Sequence, residues 1–246
     1  MMKLARLVGL GLLTMGAAGA SAALAPAVQA RGAERLEVSG IKAVRPALVN
    51  TVAALKKGDA AAAKAAFEAY DSGWNGIEVY INTRSKDMYN ELEKNYQARI
   101  TAGLSSPKPD TTALLADAQA MLAKYDEAIS LVEKAAPLNP LYDDVARLRI
   151  VRANLREVPP ALKAGNIAKA RKSFGAFNGK WSSVEALVKT RSQDASDAIE
   201  KGMIDIKRAL MLDKPDADQV TTLVSSVMTR YNAVLAEVVK AAQGQS

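Results

Sequence analysis

The feature that most limits how this chain can fold is an internal repeat with an offset of 107 residues. Residues 55–104 align with residues 162–211 without a gap, and sixteen of these fifty positions are identical. Both tryptophans of the protein, Trp74 and Trp181, fall in register, as does a Thr-Arg-Ser-x-Asp string. Matches at such residues are more informative than matches between alanines, so the chain is expected to contain two copies of one structural unit.

The match extends beyond these fifty residues in both directions. Downstream of residue 104, a one-residue deletion changes the offset to 106, and a Lys-Pro-Asp string then aligns with its second copy. The units are therefore predicted at residues 41–134 and 148–241, with residues 135–147 as a proline-marked linker between them.

The pattern within each unit predicts an all-α fold, with four helices arranged as an up-down bundle. Ala, Leu, Lys and Glu dominate, and apolar residues recur at three- and four-residue spacing. In the first unit, a helix from Ile41 to Lys57 is predicted to end at Gly58. The predicted N-caps of the three helices that follow are Asp59, Ser85 and Asp110.

Two local patterns refine this prediction. The second helix carries an aromatic-rich stripe at helical spacing, which indicates its buried face. In the second unit, Pro159 and Pro160 interrupt the first helix, and a kink or break is expected there because prolines lack the amide donor. The residues of the aromatic-rich stripe are Phe67, Tyr70, Trp74 and Ile77.

The N-terminus has the three parts of a secretory signal peptide. Lys3 and Arg6 are positively charged, residues 8–25 are uncharged and largely apolar, and small residues precede a cleavage site after Ala30. Residues 1–30 are thus predicted to be removed, with cleavage after Ala22 or a retained membrane anchor as the alternatives. Because the same kind of signal serves both destinations, the predicted location is the periplasm or a thylakoid lumen.

Neither histidine nor cysteine occurs anywhere in the chain. This excludes Ser-His-Asp triads, histidine-ligated zinc or haem, thiol nucleophiles and disulfides. Any metal held by side chains would have to be a hard ion bound by carboxylates. A Ser-Lys hydrolase remains formally open, but no matching motif is present, and we expect a protein that is not an enzyme.

The charge pattern bears on the partners of the chain. The formal net charge is +7, and loss of Lys3 and Arg6 with the signal reduces it by two. Basic and acidic residues alternate without a basic block that includes aromatic residues, so nucleic-acid binding is not expected. A mildly basic surface suits an acidic protein partner, such as part of a membrane complex, or peripheral contact with a membrane.

Four repeated glutamates are the candidate metal ligands. Glu78 and Glu185 each follow a tryptophan by four residues, so that carboxylate and indole share one helix face. Glu93 and Glu200 lie in the next helix, and the two pairs predict a carboxylate site between helices. The alternative is that Glu78 and Glu185 form ion pairs with the duplicated arginines.

The other repeated candidates are aromatic and basic. The tryptophans suit either a ligand platform or an anchor in the core. Glu68 and Asp71 flank the first tryptophan, but their counterparts are Gly175 and Asn178, so a metal site built on them would exist in the first unit only. The duplicated candidates for ligand binding are Trp74, Trp181, Arg84 and Arg191.

The first unit resembles the soluble periplasmic helical domain attached to bacterial high-affinity iron permeases. The resemblance is carried by Gly58-Asp59, by the aromatic residues before Glu78 and by Leu92-Glu93 in the next helix. It implies work outside the cytoplasm near metal uptake, with Glu78 and Glu93 and their repeat partners as the matching acids. The Arg-Glu-x-x-Glu transport motif and the membrane permease are absent from this chain, so transport itself is not expected.

A looser resemblance links the unit to the Q-type extrinsic subunit of photosystem II, a lumenal four-helix bundle. It is carried by the tryptophan that precedes a long helix of mixed charge, seen here at Trp74 and Trp181. This resemblance implies a structural or docking role as an extrinsic subunit of a membrane complex. The chain departs from it by its doubled length.

Overall fold

The computed structural model describes residues 34–244, and over this range the chain forms helices joined by turns, without a strand. The predicted all-α class is therefore confirmed. The predicted signal peptide, residues 1–30, lies outside the described residues. Within residues 34–244, none of the helices has the length and apolar character needed to cross a membrane.

The first four helices pack as a bundle. Helix α1 contacts α2 and α4, and α3 contacts the same two neighbours on the opposite side. Helix α1 begins five residues before the predicted start, with Pro46 in its interior. These helices are α1 (Leu36–Lys56), α2 (Ala60–Asn82), α3 (Lys86–Asn90, continued by Glu91–Gln97 and Ala98–Leu104) and α4 (Thr111–Lys134).

The next four helices pack in the same cyclic order. Helix α5 contacts α6 and α8, and α7 contacts α6 and α8 from the other side. Helix α5 is broken ahead of Pro159, as predicted, and it begins within the predicted linker, so that only residues 135–140 connect the two sets. These helices are α5 (Leu141–Arg156, then Val158–Lys163), α6 (Ile167–Arg191), α7 (Gln193–Leu210) and α8 (Ala217–Gly244).

The turns between helices have the chemistry that the sequence predicts. Asp59, Ser85 and Asp110 each accept a hydrogen bond from a backbone amide in the first turn of the helix that follows. Gly58 has a φ of 72°, and Gly165 at the matching place in the second set has a φ of 69°. Glycine adopts this left-handed conformation without a steric penalty, and it ends the preceding helix.

The core of the first unit is built around α2. The stripe formed by Phe67, Tyr70, Trp74 and Ile77 is at most 3% exposed, as the spacing predicts. Tyr125 of α4 packs against this stripe, and its hydroxyl donates to the carbonyl of Ile41 in α1 at 2.8 Å. In the second unit, the Tyr231 hydroxyl donates to the carbonyl of Leu148 at the same distance.

The two units are joined by contact between α2 and α5. Gly76 lies on the side of α2 that faces α5, and a side chain there would meet Ile150 and, at 2.9 Å, the carbonyl oxygen of Ala146. The close approach therefore depends on the missing Cβ. In the second unit, the matching position is Ser183, which is exposed.

Replacing Gly76 by valine should lower the free energy of unfolding by about 1–3 kcal/mol, because overpacking forces the two helices apart. Ser183→Val is the matched control, since its side chain faces solvent. Urea unfolding of both variants measures the difference. Equal stabilities would show that Gly76 does not limit the packing of α2 on α5.

Candidate functional site

The two tryptophans lie in equivalent places but differ in their polar contacts. Trp74 is 1% exposed, and its indole N–H donates to the carboxylate of Glu93 in α3. Trp181 is 5% exposed, and its indole nitrogen is buried without a hydrogen-bond partner among the described residues. Both indoles are thus core side chains, and only the first is connected to a candidate acid.

Glu78 is held by an arginine that the repeat did not single out. Arg149 of α5 donates to its carboxylate at 2.6 Å, and both side chains are largely buried. Burial raises the pKa of Glu78 to about 7, although the positive charge of Arg149 acts in the opposite direction. The Glu78–Arg149 ion pair joins α2 to α5 and therefore links the two units.

The sequence contains a pattern that could have indicated Arg149, although a comparison of the two repeats does not reveal it. Arg149, Arg152 and Arg156 recur at spacings of three and four on α5, as residues of one helix face do. The burial of Arg152 lowers its pKa, and its nearest polar partner is Asn232 at 2.9 Å. Arg149 lies on the face of α5 that meets α2, and it is the arginine of this face that donates to Glu78.

Glu185 and Glu200 are half-buried and have no ion-pair partner within 4.0 Å in the described part of the chain. Residues 34–244 contain no group of three or more acidic side chains placed to hold a metal ion. The structure therefore does not gather Glu78, Glu93, Glu185 and Glu200 into one site. Within the first unit, the negative charge of Glu93 contributes to the raised pKa of Glu78.

Arg84 and Arg191 also occupy different environments. The Arg84 guanidinium lies 2.7 Å from the carboxylate of Glu37, and both side chains are less than 8% exposed. It also donates to the carbonyl of Ala136 in the connector between units. Arg191 is exposed at the end of α6. Arg84 thus acts as an internal crosslink between α1, α2 and the connector.

A further polar contact joins α2 to α3 beside Trp74. The amide nitrogen of Gln97 donates to the carboxylate of Asp71 at 2.6 Å. Burial and the nearby charges of Glu157 and Glu93 raise the pKa of Asp71. Asp71 was noted in the sequence as a residue of the first unit alone, whereas nothing in the pattern pointed to Gln97.

Comparisons with protein-family models, with curated proteins and with solved structures give no match for this chain. The resemblances stated above therefore depend on the quoted residues alone. The function has to be argued from the chain's own side chains.

The free energy of unfolding should fall as the pH rises from 5 to 7.5, because Glu78 loses its proton over this range in the folded protein. The raised pKa favours the folded state below pH 4.5, and this contribution is lost as the pH rises through about 7. Glu78→Gln should reduce the loss by about 1–3 kcal/mol. Urea unfolding at both pH values tests this, with Glu185→Gln as the control. A pH dependence unchanged in Glu78→Gln would contradict the assignment.

The two tryptophans should respond differently to replacement by phenylalanine. Trp74→Phe leaves the half-buried Glu93 without its donor, whereas Trp181→Phe removes an N–H that has no partner. We expect Trp74→Phe to lose about 1–2 kcal/mol more of the free energy of unfolding than Trp181→Phe. Thermal and urea unfolding give the comparison, and equal losses would mean that the Trp74–Glu93 contact adds nothing.

Proposed function

We propose that this chain is an exported, non-enzymatic binding protein made of two copies of one helical unit, and that its second unit docks on a protein partner. The duplication is supported by features that recur at matching positions. These are the left-handed glycines, the N-caps and the tyrosine hydrogen bonds to the first helix, represented by Gly58 and Gly165, Ser85 and Ser192, and Tyr125 and Tyr231.

The observation that carries the docking proposal is an apolar end on the second unit. Met211 and Leu212, in the turn after α7, are 48% and 53% exposed. The turn after α3 has the same length and carries Ser105 and Ser106 at these places. The turns after α3 and α7 thus have corresponding conformations, although one exposes two serines and the other two apolar side chains. The apolar pair is therefore not needed to form the turn.

The apolar end extends along α7. Ile204 is 59% exposed and lies two helical turns before Met211, on the same face. At the same end of the unit, Leu212 lines a groove of about 330 Å³ between α7 and α8, together with Ala209 and Leu223. Clustered exposed apolar side chains of this kind are typical of protein-interaction surfaces.

The partner that this surface suits is a protein with a protruding apolar side chain and charged neighbours. Arg208 and Asp205 flank the groove, and the Arg208 side chain is 76% exposed. Interfaces commonly combine an apolar centre with such a charged rim. A subunit of a membrane complex, as the Q-type resemblance implies, is the partner class that we propose.

The docking proposal is tested by replacing Met211 and Leu212 with serine, the residues found at the matching turn of the first unit. A partner recovered from solubilised membranes is identified, purified and titrated with each variant. We expect the double variant to bind at least about tenfold more weakly, which corresponds to about 1.4 kcal/mol.

Val49→Ser is the matched control, since Val49 is another exposed apolar residue, 37% exposed, in the first unit. It should leave the affinity unchanged. Equal binding by wild type and the Met211→Ser, Leu212→Ser variant would contradict docking through this end.

Association with iron through Glu78 and Glu93 of the first unit is the second candidate function. It is favoured by the electrostatic interaction between these two acids. If they bind the ion, the Glu78→Gln, Glu93→Gln double variant should lose any rise in melting temperature that Fe³⁺ gives the wild type, whereas the Glu185→Gln, Glu200→Gln variant should keep it. A rise that persists undiminished in the Glu78→Gln, Glu93→Gln variant would contradict iron binding by these acids.

A further inference from the structure

Helix α3 contains one residue more than its counterpart α7. Its segments have 5, 7 and 7 residues, whereas α7 has 18. Both helices start after a serine N-cap and are followed by turns of equal length, so the extra residue lies inside α3. The sequence alignment placed the one-residue difference after residue 104, whereas the structure places it within the helix.

The burial pattern places the extra residue near the end of the π-helical segment Glu91–Gln97. Beyond it, Ile100 and Leu104 occupy the buried places of Ile206 and Leu210, at an offset of 106. At the earlier offset of 107, they would match the exposed Lys207 and Met211. A π-helical turn accommodates one extra residue in this way, and such turns are frequent at functional sites.

The wide turn lies against the polar residues of α2. Glu93 accepts the indole N–H of Trp74, and Gln97 donates to Asp71 at 2.6 Å. Helix α7 is α-helical throughout, and Trp181 has no such contact among the described residues. The extra residue and the contacts between α2 and α3 therefore occur together in the first unit.

Three side-chain oxygen atoms of α2 and α3 are buried without a hydrogen-bond partner in the described chain. They are the hydroxyl of Tyr70, whose side chain is 0% exposed, and the amide oxygens of Gln97 and Asn90. Leaving a buried polar group unpaired costs about 1–3 kcal/mol. The fold does not require the hydroxyl, because Phe177, also 0% exposed, fills the matching place in the second unit.

The unpaired hydroxyl lies in a region of negative charge. Tyr70 stacks on Trp74 with ring centroids 5.8 Å apart, and Trp74 in turn contacts Glu93. Burial raises the pKa of Tyr70, and the charges of Glu93, Asp71 and Glu78 add to this effect. Asp71 and Glu93 together would supply two negative charges, next to two neutral oxygen donors.

We propose that Asp71, Glu93, Gln97 and Tyr70 bind a hard divalent cation through their side-chain oxygens. Two carboxylates match the charge of such an ion, and carboxylate, amide and phenol oxygens are ligands of the hard type that it prefers. Only two of the four donors are acidic, which agrees with the absence of larger acidic groups in residues 34–244. The site goes beyond the docking function and is independent of it.

Asp71 is the member of this cluster that lines open space at the surface. Asp71 lines a groove of about 490 Å³ between α2 and the helices α5 and α6, and also a pocket of about 100 Å³ against α3. The second unit has Asn178 and Phe177 at the places of Asp71 and Tyr70. It thus serves as an internal reference in which two of the four donors are missing.

The test uses the full-length mature protein with Trp181→Phe, so that Trp74 is the only tryptophan. After chelator treatment, Ca²⁺, Mn²⁺ or Mg²⁺ is added, and Trp74 emission and melting temperature are followed. We expect a saturable change with at least one of the ions, since binding near Glu93 alters the indole hydrogen bond, and a rise in melting temperature through mass action.

Asp71→Asn should weaken the cation affinity by at least about tenfold, since even residues that only support a ligand contribute that much. Glu200→Gln, at the place of Glu93 in the second unit, is the matched control and should leave the affinity unchanged. Circular dichroism checks that Asp71→Asn folds, as Asn178 at the matching place indicates it should.

Tyr70→Phe provides a second test, in which stability without ions and the response to ions should change in opposite directions. Without ions it should fold at least as stably as the wild type, because it removes an unpaired buried hydroxyl. With ions, its melting temperature should rise less than that of the wild type. The proposal is overturned if none of the three ions gives a saturable response at millimolar concentration, or if Asp71→Asn binds as tightly as the wild type. It is also overturned if Tyr70→Phe is less stable than the wild type without ions.

Discussion

Helix α2 is packed on two sides, and most of the structure depends on this constraint. One face carries the aromatic stripe that fills the core of the first unit, and the other meets α5 of the second unit. The contact with α5 requires a residue without a side chain at Gly76. It also requires that the charge of Glu78 is paired with that of Arg149. A carboxylate buried between helices is costly unless it is paired, so Arg149 is required where α5 crosses.

The same helix accounts for the difference between the two units. Helix α6, its counterpart, has no helix of residues 34–244 packed on the matching face, and Ser183 and Glu185 there are exposed or half-buried. Glu185, the counterpart of Glu78, accordingly has no ion-pair partner in the described part of the chain. The units thus have one helix order but different chemistry, with the polar cluster of α2 and α3 in one and the apolar end in the other.

Much of the fold could be predicted from the sequence because it depends on local chemistry. The glycine at the end of α1, the N-caps and the break ahead of Pro159 are properties of a few neighbouring residues. The burial of Phe67 and Trp74 follows from helical spacing alone. The candidate site was less accessible to this reasoning, since Gln97 and Arg149 become neighbours of Asp71 and Glu78 only when distant helices pack.

By itself, the sequence determined that the chain is helical and which face of α2 is buried. These follow from residue spacing and helix caps, which act within one helix or one turn. Only the tertiary structure decided that the extra residue of the first unit widens α3, because register within a helix is set by which side chains the neighbouring helices bury. It also decided which twinned acids have partners, since ion pairs such as Glu78–Arg149 join residues 71 positions apart in the chain.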